Sequence, residues 1–323
     1  MLFASNFESP AQMAELVNSI QELNKSIPFF ISVDHEGGRV LRFKPHLTHF
    51  PSMLKVASLN SPKICYEIHE IMAKELRICG VNLSYSPVCD IFTNEQNRVI
   101  GDRAFGRDAA TVEKFVSSAL RGLQTNGVIG CAKHFPGHGD TLKDSHFELP
   151  FVKTKLETLK QREFLPFVKA IKNKAEFIMT AHILMDEIDD KTPATFSSKI
   201  INILRDDLGY KNLIITDDME MKAVTKNFGI EQAAVLALNA GCDVLLYRSV
   251  EYARRALTGV RMAVDNQQIS SKIINKKIDM VLDCKKRMIP EFSKIYIPNL
   301  ENKLKQINGK EYLDSLLKKL QMA

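Results

Sequence analysis

Short apolar runs alternate along the chain with longer amphipathic stretches. Within each short run the apolar residues follow one another directly, rather than occupying every second position. Such continuous runs are typical of parallel strands that are buried on both faces of a sheet. The predicted strands are Leu2–Ala4, Phe29–Asp34, Val81–Val88, Val128–His134, Phe177–His182, Leu213–Asp217 and Asp243–Tyr247.

The stretches between these runs space their apolar residues as a helix does. The predicted helices are Pro10–Asn24, Ser61–Cys79, Ala109–Asn126, Lys155–Asn173 and Ile230–Ala240. Repeated strand–helix units of this length indicate either a (β/α)8 barrel or a doubly wound sheet.

Polar clusters at the ends of nearly all the predicted strands favour the barrel. A barrel gathers ligand groups from all of its strands onto one face, whereas a doubly wound sheet concentrates them near one switch point. We therefore predict an α/β fold of the (β/α)8 TIM-barrel type. Seven strands are predicted instead of eight, so the first strand of the barrel is apparently absent from this chain. Residues 1–282 are expected to form the barrel, and residues 283–323 a helical C-terminal extension packed on it.

The charge of the chain is concentrated near its end. The net charge is +6, yet the residues from Glu251 onward hold 15 Lys and Arg against 8 Asp and Glu. These basic residues match no known nucleic-acid-binding module, so we expect a solvated helical face and no nucleic-acid partner.

The cysteines and the N-terminal residues predict the cellular compartment of the protein. None of the six cysteines forms a CxxC pair, which indicates reduced, buried thiols. The first residues lack a basic signal region, and no apolar run approaches the length of a membrane span. We expect a cytoplasmic protein that has no membrane partner.

The most informative stretch runs from Lys133 to His146. It follows an apolar strand, is interrupted by Pro136 and Gly137, and contains three histidines, two aspartates and two lysines. So many titratable groups beside glycines indicate a functional loop rather than an ordinary turn.

Together with other motifs, this loop resembles the single-domain bacterial β-N-acetylglucosaminidases of glycoside hydrolase family three. The stretches that carry the resemblance are 6–10 (NFESP), 34–40 (DHEGGRV), 101–106 (GDRAFG), 133–146 and 216–219 (TDDM). The resemblance implies a (β/α)8 barrel and an exo-acting, retaining enzyme. It further implies that the enzyme removes N-acetylglucosamine from (anhydro)muropeptides in peptidoglycan recycling.

The resemblance also assigns roles to residues. Asp217 is expected to be the nucleophile, and His146, oriented by Asp144, the acid/base, because retaining cleavage needs both an attacking carboxylate and a proton donor. An imidazole titrates near neutrality and suits the second role. The residues expected to bind the terminal sugar are Asp34, Arg42, Arg103, Lys133 and His134.

Several other polar residues are weaker candidates. Asp90 and His182 end other strands and either bind the sugar or support groups that do. Asp218 is expected to point away from Asp217 and to act structurally, since neighbouring strand residues face opposite sides. Glu36, with the two glycines after it, is expected to shape a turn.

Alternative functions remain open on the sequence alone. A metal-dependent hydrolase is disfavoured because the Pro and Gly between His134 and His138 exclude the helix of an HExxH-type pair. A non-catalytic sugar-binding barrel would not need Asp217 and the Asp144/His146 pair together. A β-glucosidase or a glycoside phosphorylase of the same family would use the same fold. We expect a monomer that uses neither metal nor cofactor.

Overall fold

A six-stranded parallel sheet, curled into half a barrel, lies at the centre of the fold. The computed structural model describes residues 1–24, 26–141 and 149–322. In chain order the strands are β1 (Ser32–Val33), β2 (His35–Gly37), β3 (Val40–Leu41), β4 (Leu83–Ser84), β5 (Ile129–Phe135), β6 (Phe151–Val152), β7 (Phe177–Thr180), β8 (Leu184–Met185), β9 (Leu213–Asp218) and β10 (Val244–Leu246). The sheet has the order β1-β4-β5-β7-β9-β10, while β2 with β3 and β6 with β8 form two separate pairs.

Helices surround this sheet. They are α1 (Pro10–Glu22), α2 (Met53–Ala57), α3 (Pro62–Ile78), α4 (Ala109–Gln124), α5 (Leu156–Gln161), α6 (Leu165–Lys172), α7 (Ser198–Asn202), α8 (Lys222–Thr225), α9 (Ile230–Ala240), α10 (Val250–Asp265), α11 (Ser271–Met288), α12 (Leu300–Gln306) and α13 (Gly309–Met322). None of the helices described is both long and apolar enough to cross a membrane.

The sheet is buried on both faces, as the continuous apolar runs predict. Alternate residues of β9 enter different apolar clusters: Leu213 and Ile215 pack with the residues on one face, and Ile214 packs with the helices on the other. The α/β class and the parallel sheet are thus confirmed.

Local signals explain several helix starts. The Ser9 hydroxyl accepts a hydrogen bond from the Gln12 amide at 3.1 Å, and Pro10 is the first residue of α1. Asp108 caps α4 in the same way, through the Thr111 amide at 2.8 Å. Such caps satisfy amide groups that have no partner within the helix.

Two predicted elements are wrong. Only Leu2 of the expected strand Leu2–Ala4 pairs with the sheet, because the Asn6 side chain accepts a hydrogen bond from the Phe3 amide and a short 3-10 helix follows. The expected helix Lys155–Asn173 is two helices, α5 and α6. The ring of Pro166 is incompatible with a helical carbonyl four residues earlier, and the break falls there, at Arg162.

The C-terminal part is helical, as expected. Arg287 near the end of α11 forms a two-pronged ion pair with Glu176, at 2.6 and 2.9 Å. In α13, Leu316 is buried and the Tyr312 hydroxyl donates to Glu67 at 2.8 Å. These contacts hold the tail against the body of the protein. The domain division at residues 282 and 283 stays a prediction.

Candidate active site

A cavity of about 580 Å³ opens at the carboxyl ends of the central strands. Loops at this edge carry the functional groups of most parallel α/β proteins. Of the eight predicted site residues, six line this cavity: Asp34, Arg42, Arg103, Lys133, His134 and Asp217. The other two, Asp144 and His146, lie outside the described residues.

One wall of the cavity is a cluster of two carboxylates and two cations. The Lys133 ammonium donates to Asp34 at 2.9 Å and lies 2.6 Å from Glu36. Arg103 donates to Glu36 through two nitrogens, each at 2.8 Å. Paired opposite charges of this kind are the groups that bind sugar hydroxyls through charge-assisted hydrogen bonds.

Arg42 extends this wall toward the solvent. Its Nη2 atom donates to the second oxygen of Asp34 at 3.2 Å. Its Nε atom is buried and has no hydrogen-bond partner among the described residues. Asp34 is therefore held by two cations, with 18% of its side chain still exposed to a ligand.

Lys133 and His134 both line the cavity although they are neighbours in β5. A regular strand would direct them to opposite faces. The pairing of β5 with β7 shifts register between Lys133 and Phe135, so the alternation is interrupted there. Pro136 and Gly137 follow at once and end the strand.

Asp90 organises the segment after β5 from a fully buried position. One of its oxygens lies 2.6 Å from Nδ1 of His134. The other accepts from the backbone amides of His134 and His138, at 3.3 and 2.7 Å. Burial opposes ionisation of Asp90, but the two histidines outweigh it and hold its pKa below the ordinary value. With Nδ1 engaged by Asp90, the other ring nitrogen of His134 is the one available to a ligand.

Asp217 is the last residue but one of β9 and lines the same cavity. Its carboxylate accepts from the Asp218 amide at 2.7 Å, which fixes the side chain at the strand end. Burial alone would raise the pKa of Asp217, but proximity to His134 and His182 lowers it below the ordinary value. This carboxylate is consequently ionised at neutral pH, as a nucleophile must be.

Asp218 also lines the cavity, contrary to the expectation that it points away from Asp217. The strand ends here and its register with β10 shifts, so alternation does not hold. Arg248 forms an ion pair with Asp218 at 2.6 Å, and the Glu220 amide donates to it at 2.9 Å. Burial nevertheless raises the pKa of Asp218 to about 6.

His182 lies behind Asp217 rather than in the cavity lining. Its Nε2 atom is 3.1 Å from the backbone oxygen of Asp218, and its Nδ1 atom is 2.8 Å from the Thr195 hydroxyl. His182 therefore supports the end of β9, the second of the two roles that the sequence left open.

The residues on either side of 142–148 are anchored in the body of the protein. Asp140 accepts hydrogen bonds from Thr93, Thr154 and Arg162, at 3.1, 2.7 and 3.3 Å. The side-chain amide of Asn97 donates to the backbone oxygen of His138 at 2.7 Å. These contacts fix the described residues that precede position 142.

The main residue that the sequence analysis missed is Glu36, which was assigned only to a turn. Its side chain is 2% exposed and touches both Lys133 and Arg103. The signal was present, because Asp34 and Glu36 are two apart in an extended segment and so share one face.

No group of three or more His, Cys, Asp or Glu side chains is arranged to hold a metal ion within 1–24, 26–141 and 149–322. The six cysteines are free thiols, and all are buried.

Comparisons with known proteins place the chain in a wider group. A family model described as the glycosyl hydrolase family 3 N terminal domain matches residues 1–284. A β-hexosaminidase of Nitrosomonas eutropha is 38% identical over 280 residues, which are 83% of this chain and 80% of that protein. A β-hexosaminidase of Methylobacillus flagellatus is 36% identical over 278 residues, covering 84% of this chain and 79% of the other.

The fold has solved counterparts as well. A glycoside hydrolase family 3 β-N-acetylglucosaminidase from a Paenibacillus species superimposes with a TM-score of 0.86 and 34% identity. The match covers 95% of this chain but only 61% of that protein's chain.

Proposed function

This chain belongs to glycoside hydrolase family 3, and on that premise we propose that it is an exo-acting, retaining β-N-acetylglucosaminidase. The family prediction made from the motifs, and with it the assignment to the glycoside hydrolases, is confirmed. The activity named for its relatives supports the proposed reaction. The observation that carries the proposal is the position of the ionised Asp217 in one cavity with Asp34, Arg103 and Lys133.

The proposed mechanism has two steps. Asp217 attacks the anomeric carbon while His146, oriented by Asp144, protonates the departing oxygen, and a covalent glycosyl-enzyme forms. His146 then takes a proton from water, which attacks the anomeric carbon and releases the sugar with its configuration kept. A fixed carboxylate with a lowered pKa supports the first role.

The sugar site is proposed to consist of Asp34, Arg42, Arg103, Lys133 and His134. Carboxylates accept from sugar hydroxyls, and the ammonium, guanidinium and imidazole groups donate to them. The mixed charge of this wall supports a neutral polyhydroxylated ligand more than an apolar one.

The proposed substrates are muropeptide fragments with a terminal N-acetylglucosamine, and the proposed role is recycling of peptidoglycan in the cytoplasm. The enzyme is proposed to act as a monomer without metal or cofactor. We also propose that the curled sheet is the greater part of a (β/α)8-type barrel.

The test is hydrolysis of an aryl N-acetylglucosaminide beside the matching glucoside, with the anomeric configuration of the first product followed by NMR. We expect the N-acetylglucosaminide to be preferred and the β-anomer to appear first. Inverted product would reject the covalent intermediate. A preference for the glucoside would reject the proposed N-acetylglucosaminide substrate. Formation of a sugar phosphate when inorganic phosphate is added would indicate a phosphorylase.

A further inference from the structure

Glu36 lies between two cations of the cavity wall and is itself almost inaccessible. Its side chain is 2% exposed, as is that of Lys133, and that of its other partner Arg103 is 12% exposed. The ammonium of Lys133 lies 2.6 Å from one oxygen, which Arg103 also contacts at 2.8 Å. Because both oxygens of Glu36 are engaged by these two cations, the carboxylate acts through its partners.

We infer that Glu36 is a positioning residue of the sugar site, which aims the Lys133 ammonium and the Arg103 guanidinium at the ligand. The inference rests on the proposed function, because it takes the ligand to be the sugar that Lys133 is proposed to bind.

The hydrogen-bond count supports this role. An ammonium has three N–H donors, and Lys133 directs two of them to Asp34 and Glu36. One donor is left, and its direction is set by the other two. Arg103 has five donors, of which two are held by Glu36 and one by the Val99 oxygen at 3.1 Å. Without Glu36 the ammonium could rotate and the guanidinium would lose its two-pronged partner.

The charges point to the same role. Lys133 faces Asp34 at the end of β1, Glu36 in β2, Arg103 in the loop after β4 and Asp217 in β9, with the Cys131 thiol on its own strand. Burial lowers the pKa of Lys133, but Asp34 and Glu36 outweigh it and hold that pKa above the ordinary value. Removing the charge of Glu36 leaves Lys133 and Arg103 as two buried cations with only Asp34 to offset their repulsion.

Glu36→Gln tests the inference, since it keeps the shape of the side chain and removes its charge. The measurement is the dissociation constant of N-acetylglucosamine, by calorimetry, from about pH 7 to about pH 10.5. We expect binding at pH 7 to weaken about tenfold or more, and the alkaline loss of binding to begin at a lower pH than in the wild type.

Glu176→Gln is the matched control. Glu176 also forms a two-pronged pair with an arginine, Arg287, but outside the cavity lining. This variant should bind the sugar as the wild type does at every pH. A folded Glu36→Gln protein whose alkaline profile matches the wild type would overturn the inference, however much its affinity changed.

Two further measurements guard against ambiguous results. If Glu36→Gln does not fold, Glu36→Asp keeps the charge but is too short to reach both cations. We expect the Glu36→Asp protein to bind the sugar more weakly, with an unshifted alkaline profile. Wild-type affinity in this variant would refute the positioning role of Glu36.

NMR titration of the Lys133 nitrogen in wild type and variant needs no ligand. A failure of the wild type to bind the sugar would therefore reject the proposed function, while an unchanged Lys133 titration would reject the role of Glu36.

Discussion

Neighbouring residues at the end of β1 have opposite environments. Asp34 and Glu36 line the cavity, while the ring of His35 between them lies 6.2 Å from the ring of Phe43 in the apolar interior. Extended backbone produces this division, because successive side chains point to opposite sides. The 34–36 stretch therefore supplies two charges to the site and one buried group to the core.

At the same scale, Asp217 is the residue on which the proposed chemistry depends most. Asp217→Ala should lose nearly all turnover of an aryl N-acetylglucosaminide while still binding the sugar, because only the attacking group is removed. Activity above roughly a tenth of wild type would exclude the nucleophilic role. Asp186→Ala, which removes an exposed carboxylate outside the cavity lining, serves as the control.

Among the structural elements, the end of β5 and the segment after it are held by several hydrogen bonds. Asp90 accepts from the backbone amides of His134 in β5 and His138 after it, and the Asn97 side chain donates to the His138 oxygen. At Gly139 the backbone approaches Ile91 so closely that a Cβ atom would lie 1.6 Å from the Ile91 oxygen. Only glycine allows this contact, since a backbone oxygen has little room to retreat.

Gly139→Ala tests that constraint. The added methyl group should displace the segment from Asp90 and Asn97, and we expect kcat/KM to fall by about tenfold or more. The control is Gly229→Ala before α9, where a Cβ atom would meet nothing within 4 Å. Equal kinetics for the two variants would show that the close approach at Gly139 is unimportant.

The element boundaries show what can be predicted locally. The bounds of α9 agree with the prediction at both ends, and α3 differs by one residue at each end. Caps, prolines and apolar spacing lie within the element itself, so they can be identified in the sequence. Strand lengths were overestimated, as for Val81–Val88 against Leu83–Ser84, because a strand extends only as far as its neighbours offer partners.

For the molecule as a whole, buried histidines predict how stability depends on pH. His35 is 1% exposed, and neither ring nitrogen has a hydrogen-bond partner among the described residues. Burial, with smaller effects of His69 and His49, lowers the pKa of His35 to about 3. The unfolded chain takes up a proton on this residue near its ordinary pKa of about 6.5, and the native protein does not. The contribution of His35 to stability is therefore complete above about pH 6.5 and is lost as the pH falls toward 3.

His35→Phe should flatten this acid dependence. Between pH 7 and pH 5 the variant should lose about 2 kcal/mol less of its free energy of unfolding than the wild type, as measured by urea unfolding. His46→Gln, which changes an exposed histidine, should leave the dependence as it is. An equally steep loss in His35→Phe would mean that His35 takes up its proton in the native state.

The sequence by itself determined the alternation of strands and helices, the parallel character of the sheet and the family. These depend on periodicity, caps and motifs, which are properties of short stretches. Only the tertiary structure decided which side chains meet. Lys133 reaches Asp34, 99 residues earlier, and the cavity brings in Asp217 from a third strand. The proposed role of Glu36 also depends on the tertiary structure. It requires contacts with two cations, Lys133 and Arg103, that the curling of the sheet brings to it. A local pattern specifies the direction of a side chain, but its partner is specified by the packing of distant elements.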